Sequence, residues 1–293
     1  MSYMKSTKEI KALFHLLDDP DREIFDTVSE KIVHYGKAII PNLEELWEST
    51  NNNEVQERIE NIIHKLNFSE TEQSFAKWFT ADKPNLLDGA ILLSRFRYAE
   101  VQEDELRKVI KSLYQSCWLE ISNYLTPLEQ INVINSIIYS MYKFFGQDLD
   151  ANKPNHYFIN DVAETRMGNS YSIGLIYQYL CELLDIPVFA IQLPRQYLLA
   201  YFDTAYNFFD THKAPSLRIQ FYIDPNDGTI FTQNDVDVYL KKYELSTDEF
   251  TYQPLEAKDI IVIQMEALIT LYEQLGDDDA VKDLNKLLQI RNL

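Results

Sequence analysis

Through the first two thirds of the chain, apolar residues recur at three- and four-residue intervals. After Pro187 they gather into short, nearly continuous runs. This change of period predicts a helical part followed by strands. In "LLDDPDREIFDTVSEKIVHYG", the side chains of Ile24, Phe25, Val28, Ile32 and Val33 fall on one helical face. Asp19 is the expected cap, with Pro20 in the first turn, where a missing N–H is harmless, and Gly36 is the expected left-handed stop. "KAIIPNLEELWE" and "NNNEVQERIENIIHKLNF" predict two further helices, and residues 69–145 four more helical segments. The last of these opens with Thr126, Pro127 and Glu129, a capping box with proline in its first turn.

"HYFINDVAETRM" predicts a short helical piece, and a helix is expected over 171–184. The runs "VFAIQL", "QYLLAYFD", "LRIQFYID" and "GTIF" are rich in aliphatic and aromatic residues and bounded by Pro, Asn, Asp and Gly, so they predict strands. "QNDVDVYLKKYEL" reads as a helix. "KDIIVIQMEALITLYEQLGDDDAVKDLNKLLQI" reads as a helical hairpin bent at Gly276, with Asp277 to Asp279 capping its second arm. A helix followed by a strand meander predicts an α+β fold: a mostly helical N-terminal half, a short antiparallel sheet packed on a helix, and a C-terminal helical hairpin.

The net charge of −19, without a strongly basic run, argues against a nucleic-acid partner, which needs clustered Lys and Arg. It leaves a solvated, self-repelling surface, or an acidic face that recruits a basic partner. No run of about 18 uncharged apolar residues predicts a membrane span. "MSYMKSTKEIKALFHLL" reads as the start of a helix rather than an export signal. Two cysteines, Cys117 and Cys181, suggest no disulfide framework, so a reducing cytoplasm is the expected compartment. The histidines, at 15, 34, 64, 156 and 212, form no HExxH or close Cys/His pair. With no phosphate-binding loop or dinucleotide fingerprint either, neither metal nor cofactor is expected.

The order "DDPD…I…V…KI…G…AIIPNL" resembles a HEAT-type helical repeat. The series "NHYFINDVAETRMGNSYSIGLIYQYLCELLDIPV", "LPRQYLLAYFD" and "FYIDPNDG" resembles the transglutaminase-like superfamily, most nearly its SirB-type branch, in which helical repeats surround that domain. The expected organisation is a HEAT-like helical region at 1–68, a helical segment with the transglutaminase-like core at 69–250 (core motifs 155–231), and a tetratricopeptide-like hairpin at 251–293.

In active members of that superfamily, a Cys at a helix N-terminus, a His on a following strand and an Asp on the next form an acyl-transfer triad. The helix mouth lowers the thiol pKa, the His takes its proton, and the Asp fixes the ring. Carried onto this chain, the three positions are Ser170, Gln196 and Asp224. A hydroxyl needs a general base, and glutamine has no titratable nitrogen. A helix dipole supplies at most about 2 kcal/mol, far short of making an alkoxide. Ser170 therefore reads as a cap or first-turn residue, with Asn169 or Ser172 sharing that work. Asp224 reads as a turn residue in "DPNDG".

Cys181 lies on the same helix face as Ser170 but about 16 Å deeper, so it reads as a buried, inert thiol, as does Cys117. His212 is a candidate stand-in base if its loop folds back. The same loop carries Tyr206, Phe208 and Phe209, a possible partner-binding patch or simply aromatic packing.

The function expected is a non-catalytic transglutaminase-like protein that binds another protein or a peptide. The vestigial cleft would offer Asn169, Ser170, Gln196 and Asp224. The alternative is a hydrolase or acyltransferase using Ser170 with an unconventional base.

Overall fold

The computed structural model describes residues 8–19, 21–98, 101–147, 153–193, 196–203, 218–244 and 252–291. The chain forms two compact units, Met1–Ala76 and Lys77–Leu293.

In the first unit, α1 (Lys8–His15), α2 (Arg22–His34), α3 (Ile40–Ser49) and the first part of α4 (Asn53–Thr80) supply the helices. Their apolar stripes meet in one core that includes Ile10, Leu17, Val28, Ile32, Ile39, Leu43, Ile59 and Ile62. The helix expected over 51–68 runs on without a break to Thr80.

The cap of α2 corrects the sequence expectation. Asp21, not Asp19, accepts from the Glu23 amide at 2.9 Å, while Asp19 accepts from the Asp21 amide one turn earlier. Three acids flank Pro20, and the sequence alone does not fix which of them starts the helix. Gly36 stops α2 with φ +67, ψ −171, a backbone region open essentially to glycine.

The second unit is built around α5 (Leu86–Arg97), buried along most of its length. Gly89 lets the helix lie against Trp78: a Cβ there would come within 2.4 Å of the indole. Around α5 stand α6 (Glu103–Glu120), α8 (Ile159–Thr165), α9 (Ser170–Leu183) and α11 (Ala257–Leu275). Thr126 and Glu129 form the expected capping box on α7 (Pro127–Asn135). This helix continues into a π-helical segment, Ser136–Met141. Gly276, at φ +74, turns α11 into α12 (Asp278–Ile290), and Asp277 caps the second arm by accepting from the Ala280 amide.

Two short strands, β1 (Phe145–Gly146) and β2 (Met167–Gly168), pair in parallel. The main sheet is an antiparallel meander in sequence order: β3 (Val188–Leu193), β4 (Gln196–Phe202), β5 (Ile219–Ile223) and β6 (Ile230–Phe231). α9 packs on β3 and β4, and its Gln178 side chain accepts from the Ala190 amide at 2.6 Å. Ile191, Leu193, Leu198, Ala200, Phe202 and Tyr222 form another core cluster with Val236 and Leu240 of α10 (Gln233–Lys242). With α9 against β3 and β4, this cluster explains why β4 is buried along its described length and reads as a continuous apolar run. The fold is thus mostly helical, with a small antiparallel sheet among the helices and a C-terminal helical hairpin.

Candidate functional site at the mouth of helix α9

The stretch "RMGNSYSIG" crosses from β2 into α9. Arg166 takes the left-handed conformation (φ 64) after α8 and turns the chain into β2. Gly168 admits the first turn of α9: a Cβ there would lie 2.5 Å from the Ser172 hydroxyl.

Asn169 is the N-cap and is fully buried. Its side-chain oxygen accepts from the amides of Tyr171 and Ser172, both at 3.1 Å. Ser172 reciprocates: its hydroxyl oxygen accepts from the Asn169 amide at 3.0 Å and donates to the His156 carbonyl at 2.7 Å. The first turn of α9 is therefore tied both to its own cap and to the turn that precedes α8. The Asn169 side-chain NH₂ is buried without a hydrogen-bond partner among the described residues.

Ser170 follows the cap as the first residue of α9 and is only 8 % exposed. Its hydroxyl makes no hydrogen bond to any described residue. No carboxylate or imidazole among the described residues is hydrogen-bonded to it. The His156 imidazole is engaged by its own turn: its Nδ1 accepts from the Lys153 amide at 3.3 Å. Burial pushes its pKa below 6.5, and the charge of Lys153 pushes it in the same direction.

Three aromatic rings cover this end of α9. Tyr171 stacks on Tyr157, with centroids 6.0 Å apart, and meets Tyr197 at 5.1 Å. Tyr157 and Tyr197 are buried. Tyr197 lies against the bare backbone of Gly174, where an added Cβ would come 2.6 Å from its Cε1. Gln196 opens β4 with its backbone paired to Leu193. The Gln196 side chain lies outside what is described, as do Tyr206, Phe208, Phe209 and His212.

Asp224 sits in the turn between β5 and β6. Its carboxylate accepts from the Asn226 amide at 2.8 Å, its own amide donates to Thr229, and Gly228, at φ +80, donates to its carbonyl. The α7 and π-helical segments clamp the turn. Asn135 donates to the Gly228 carbonyl at 2.8 Å, the Tyr139 hydroxyl donates to the Pro225 carbonyl at 2.9 Å, and the Tyr177 hydroxyl of α9 donates to Asn135. Asn135 and Tyr139 carry no chemical signature in the sequence. Only the fold reveals their part, through contacts 86 and 93 residues apart.

Cys117 and Cys181 are both fully buried. Burial pushes the Cys117 thiol up to about 12 and raises that of Cys181 as well. Among the described residues, no group of three His, Cys, Asp or Glu side chains could hold a metal ion. No described helix is long and apolar enough to cross a membrane.

A family model described as the transglutaminase-like superfamily matches residues 104–265, a stretch that contains α9, the meander and the turn at Asp224. The chain belongs to that superfamily. Among curated proteins it is similar to the UPF0162 protein YchA of Escherichia coli K12, at 22% identity over 204 residues (70% of this chain and 71% of the relative). It is 21% identical to UPF0162 protein BU173 of Buchnera aphidicola over 212 residues (72% and 73%), and 23% identical to Protein SirB1 of Salmonella typhimurium over 205 (68% and 70%). No solved structure matches. These likenesses join the chain to UPF0162 and SirB1 proteins of bacteria over about 70% of its length.

Proposed function

We propose that this transglutaminase-like chain does not carry out acyl transfer and acts by binding another protein. The observation that carries the reading is the state of Ser170. It occupies the cysteine position at the helix mouth, yet it is buried, and no base among the described residues touches its hydroxyl. The polar groups around it serve the backbone: Asn169 and Ser172 cap α9, and Asp224 holds its own turn. With Gln196 at the histidine position, the triad reads Ser, Gln, Asp, and the loss of even one such member costs about 10⁴–10⁶ in turnover.

In this reading the helices carry the function. The HEAT-like region at 1–68 and the tetratricopeptide-like hairpin at 251–293 flank the core and bind the partner, and the 69–250 segment adds contacts. Trp118 and Leu119, at the end of α6, and Tyr124 are 63%, 75% and 98% exposed, and Glu120 and Glu129 beside them are exposed too. Aromatic and aliphatic anchors with an acidic rim suit a partner protein whose own contact face is apolar with basic edges, as does the net charge of −19. The compartment in this reading is the cytoplasm, and the tyrosine and phenylalanines at 206, 208 and 209 are candidate further anchors.

A second reading has one observation in its favour. The buried NH₂ of Asn169 has no hydrogen-bond partner among the described residues, and in this reading it and the Gln196 amide donate to a peptide carbonyl while Asp224 accepts from a peptide N–H, without turnover. One capture experiment separates the two. Immobilised full-length chain should retain a defined protein from native bacterial lysate, less of it at high salt, and lose it in the Trp118→Asp/Leu119→Asp variant. Loss in Gln196→Ala but not in that variant would transfer the function to the cleft. Retention of nothing in any form would end both readings.

A further inference from the structure

An open groove of about 200 Å³ follows the seam where α6 packs on α9, with Leu87 of α5 in its lining. Arg107, Ile110, Lys111 and Tyr114 recur at three- and four-residue intervals on α6, so they share one helix face. Tyr179 and Leu183 line it from the second half of α9, one turn apart. Leu87 and Ile110 are buried and form its floor, while Tyr114 and Tyr179 are half-buried and Leu183 is 41% exposed. Tyr179 lies about 14 Å along α9 from Ser170, so the groove is no part of the helix mouth.

Volume and lining narrow the choice of occupant. Small-molecule pockets span about 300–1,000 Å³. This groove is smaller and open to solvent, so it seats one side chain rather than a whole cofactor. Two tyrosines and a leucine around a small depression are surroundings in which a single apolar anchor of a partner binds.

The lining also carries two cations and no carboxylate, in a chain with 46 acids and 27 bases. Arg107 is compensated: it donates to Asp88 at 2.6 Å and pairs with Glu103 at 3.7 Å. Lys111 is exposed, and no carboxylate among the described residues is ion-paired with it. Its neighbours one turn away on α6 are Arg107, Lys108, Tyr114 and Gln115, so those positions offer it no acid. The guanidinium fork that would favour a phosphate is already engaged by Asp88 and Glu103. What remains is a single ammonium beside an apolar depression, which matches a carboxylate close to an apolar side chain.

We propose that this groove binds a short acidic segment of another protein. One side chain of leucine or phenylalanine size lies against Tyr114 and Tyr179, and a carboxylate lies on Lys111. The contact adds to the Trp118 and Leu119 face, which suits basic edges, and it does not depend on the state of Ser170.

The test is a fluorescence-polarisation titration of the full chain against labelled hexapeptides. Each carries Asp or Glu around one Leu, Ile, Met, Phe, Tyr or Trp. Matched peptides replace the acids by Asn and Gln, or the bulky residue by Ala, and inorganic phosphate serves as competitor. At least one acidic peptide should bind saturably at one per chain, and either replacement should weaken it by about tenfold or more. Lys111→Glu should weaken it as much, and Leu183→Asn several-fold, both at exposed positions and with unchanged circular dichroism. Lys241→Glu on α10, the same change of charge elsewhere, should leave it nearly unaltered. The titration uses purified components, so its failure leaves the lysate capture to be judged by itself. The proposal is overturned if no acidic peptide binds, if the amide or alanine forms bind as tightly, or if phosphate displaces the peptide at constant ionic strength. It is equally overturned if Lys241→Glu weakens binding as much as Lys111→Glu, or if neither groove substitution changes affinity.

Discussion

The hydroxyl of Ser172 donates to the carbonyl of His156 at 2.7 Å, joining the first turn of α9 to the turn that leads into α8. Two residues earlier, Ser170 makes no such bond. The two serines of "NSYS" are therefore expected to respond differently to removal of their oxygen. Ser172→Ala loses a donor and an acceptor in a buried place and should cost about 1–3 kcal/mol. Ser170→Ala should change stability by less than about 1 kcal/mol, since alanine is the better helix former. Urea denaturation of both variants checks this, and equal losses would count against the assignment of the cap.

His156 predicts a pH dependence. Its folded pKa lies below the ordinary 6.5, because burial and Lys153 disfavour the proton and Nδ1 must stay free to accept. The unfolded chain therefore binds the proton more readily. The stability this confers is complete above about pH 6.5 and declines as pH falls through the lower folded value. Melting temperatures followed from pH 7.5 downward should fall, and His156→Gln should flatten that decline. An unchanged profile in the variant would assign the dependence to other groups.

Gly174 and Tyr197 should be coupled. A methyl group at 174 meets the buried Tyr197 ring at 2.6 Å and Pro225 at 3.3 Å. The overpacking should cost about 1–3 kcal/mol, against a gain in helix propensity of about 1. Shortening the neighbour as Tyr197→Leu should make the glycine substitution less harmful by at least about 0.5 kcal/mol in a double-mutant cycle. Strict additivity would mean that the ring does not rest on this glycine.

Cys117 and Cys181 should be silent in the native protein. Both are buried, and both thiols are raised by burial. Ellman's reagent at pH 8 should find neither until denaturant is added, and then both. Prompt native labelling of either would contradict their place in the core.

Much of the fold could be read from local pattern. The strand at Val188–Leu193 lies between Pro187 and the next proline, and every residue within it is aliphatic or aromatic except Gln192, so period and punctuation agree. Thr126, Pro127 and Glu129 act within one turn, where sequence spacing is spatial distance. What escaped reading depends on contacts between distant segments. The π-helical turn at Ser136–Met141 keeps an ordinary helical composition, yet its Tyr139 reaches the Pro225 carbonyl. The cap of α2 shifted from Asp19 to Asp21 because neighbouring acids are chemically interchangeable there. At the candidate site, Asn169 and Ser172 follow a legible capping pattern. The anchoring of Ser172 on His156, 16 residues away, has no signal in the sequence.

On the proposed function, the hydroxyl at position 170 is not a nucleophile. The most direct measurement is the intact mass of the full-length protein after prolonged incubation with a fluorophosphonate, followed by peptide mapping. The account predicts the unmodified mass. A stoichiometric phosphonyl adduct on Ser170, absent from the Ser170→Ala variant, would contradict it.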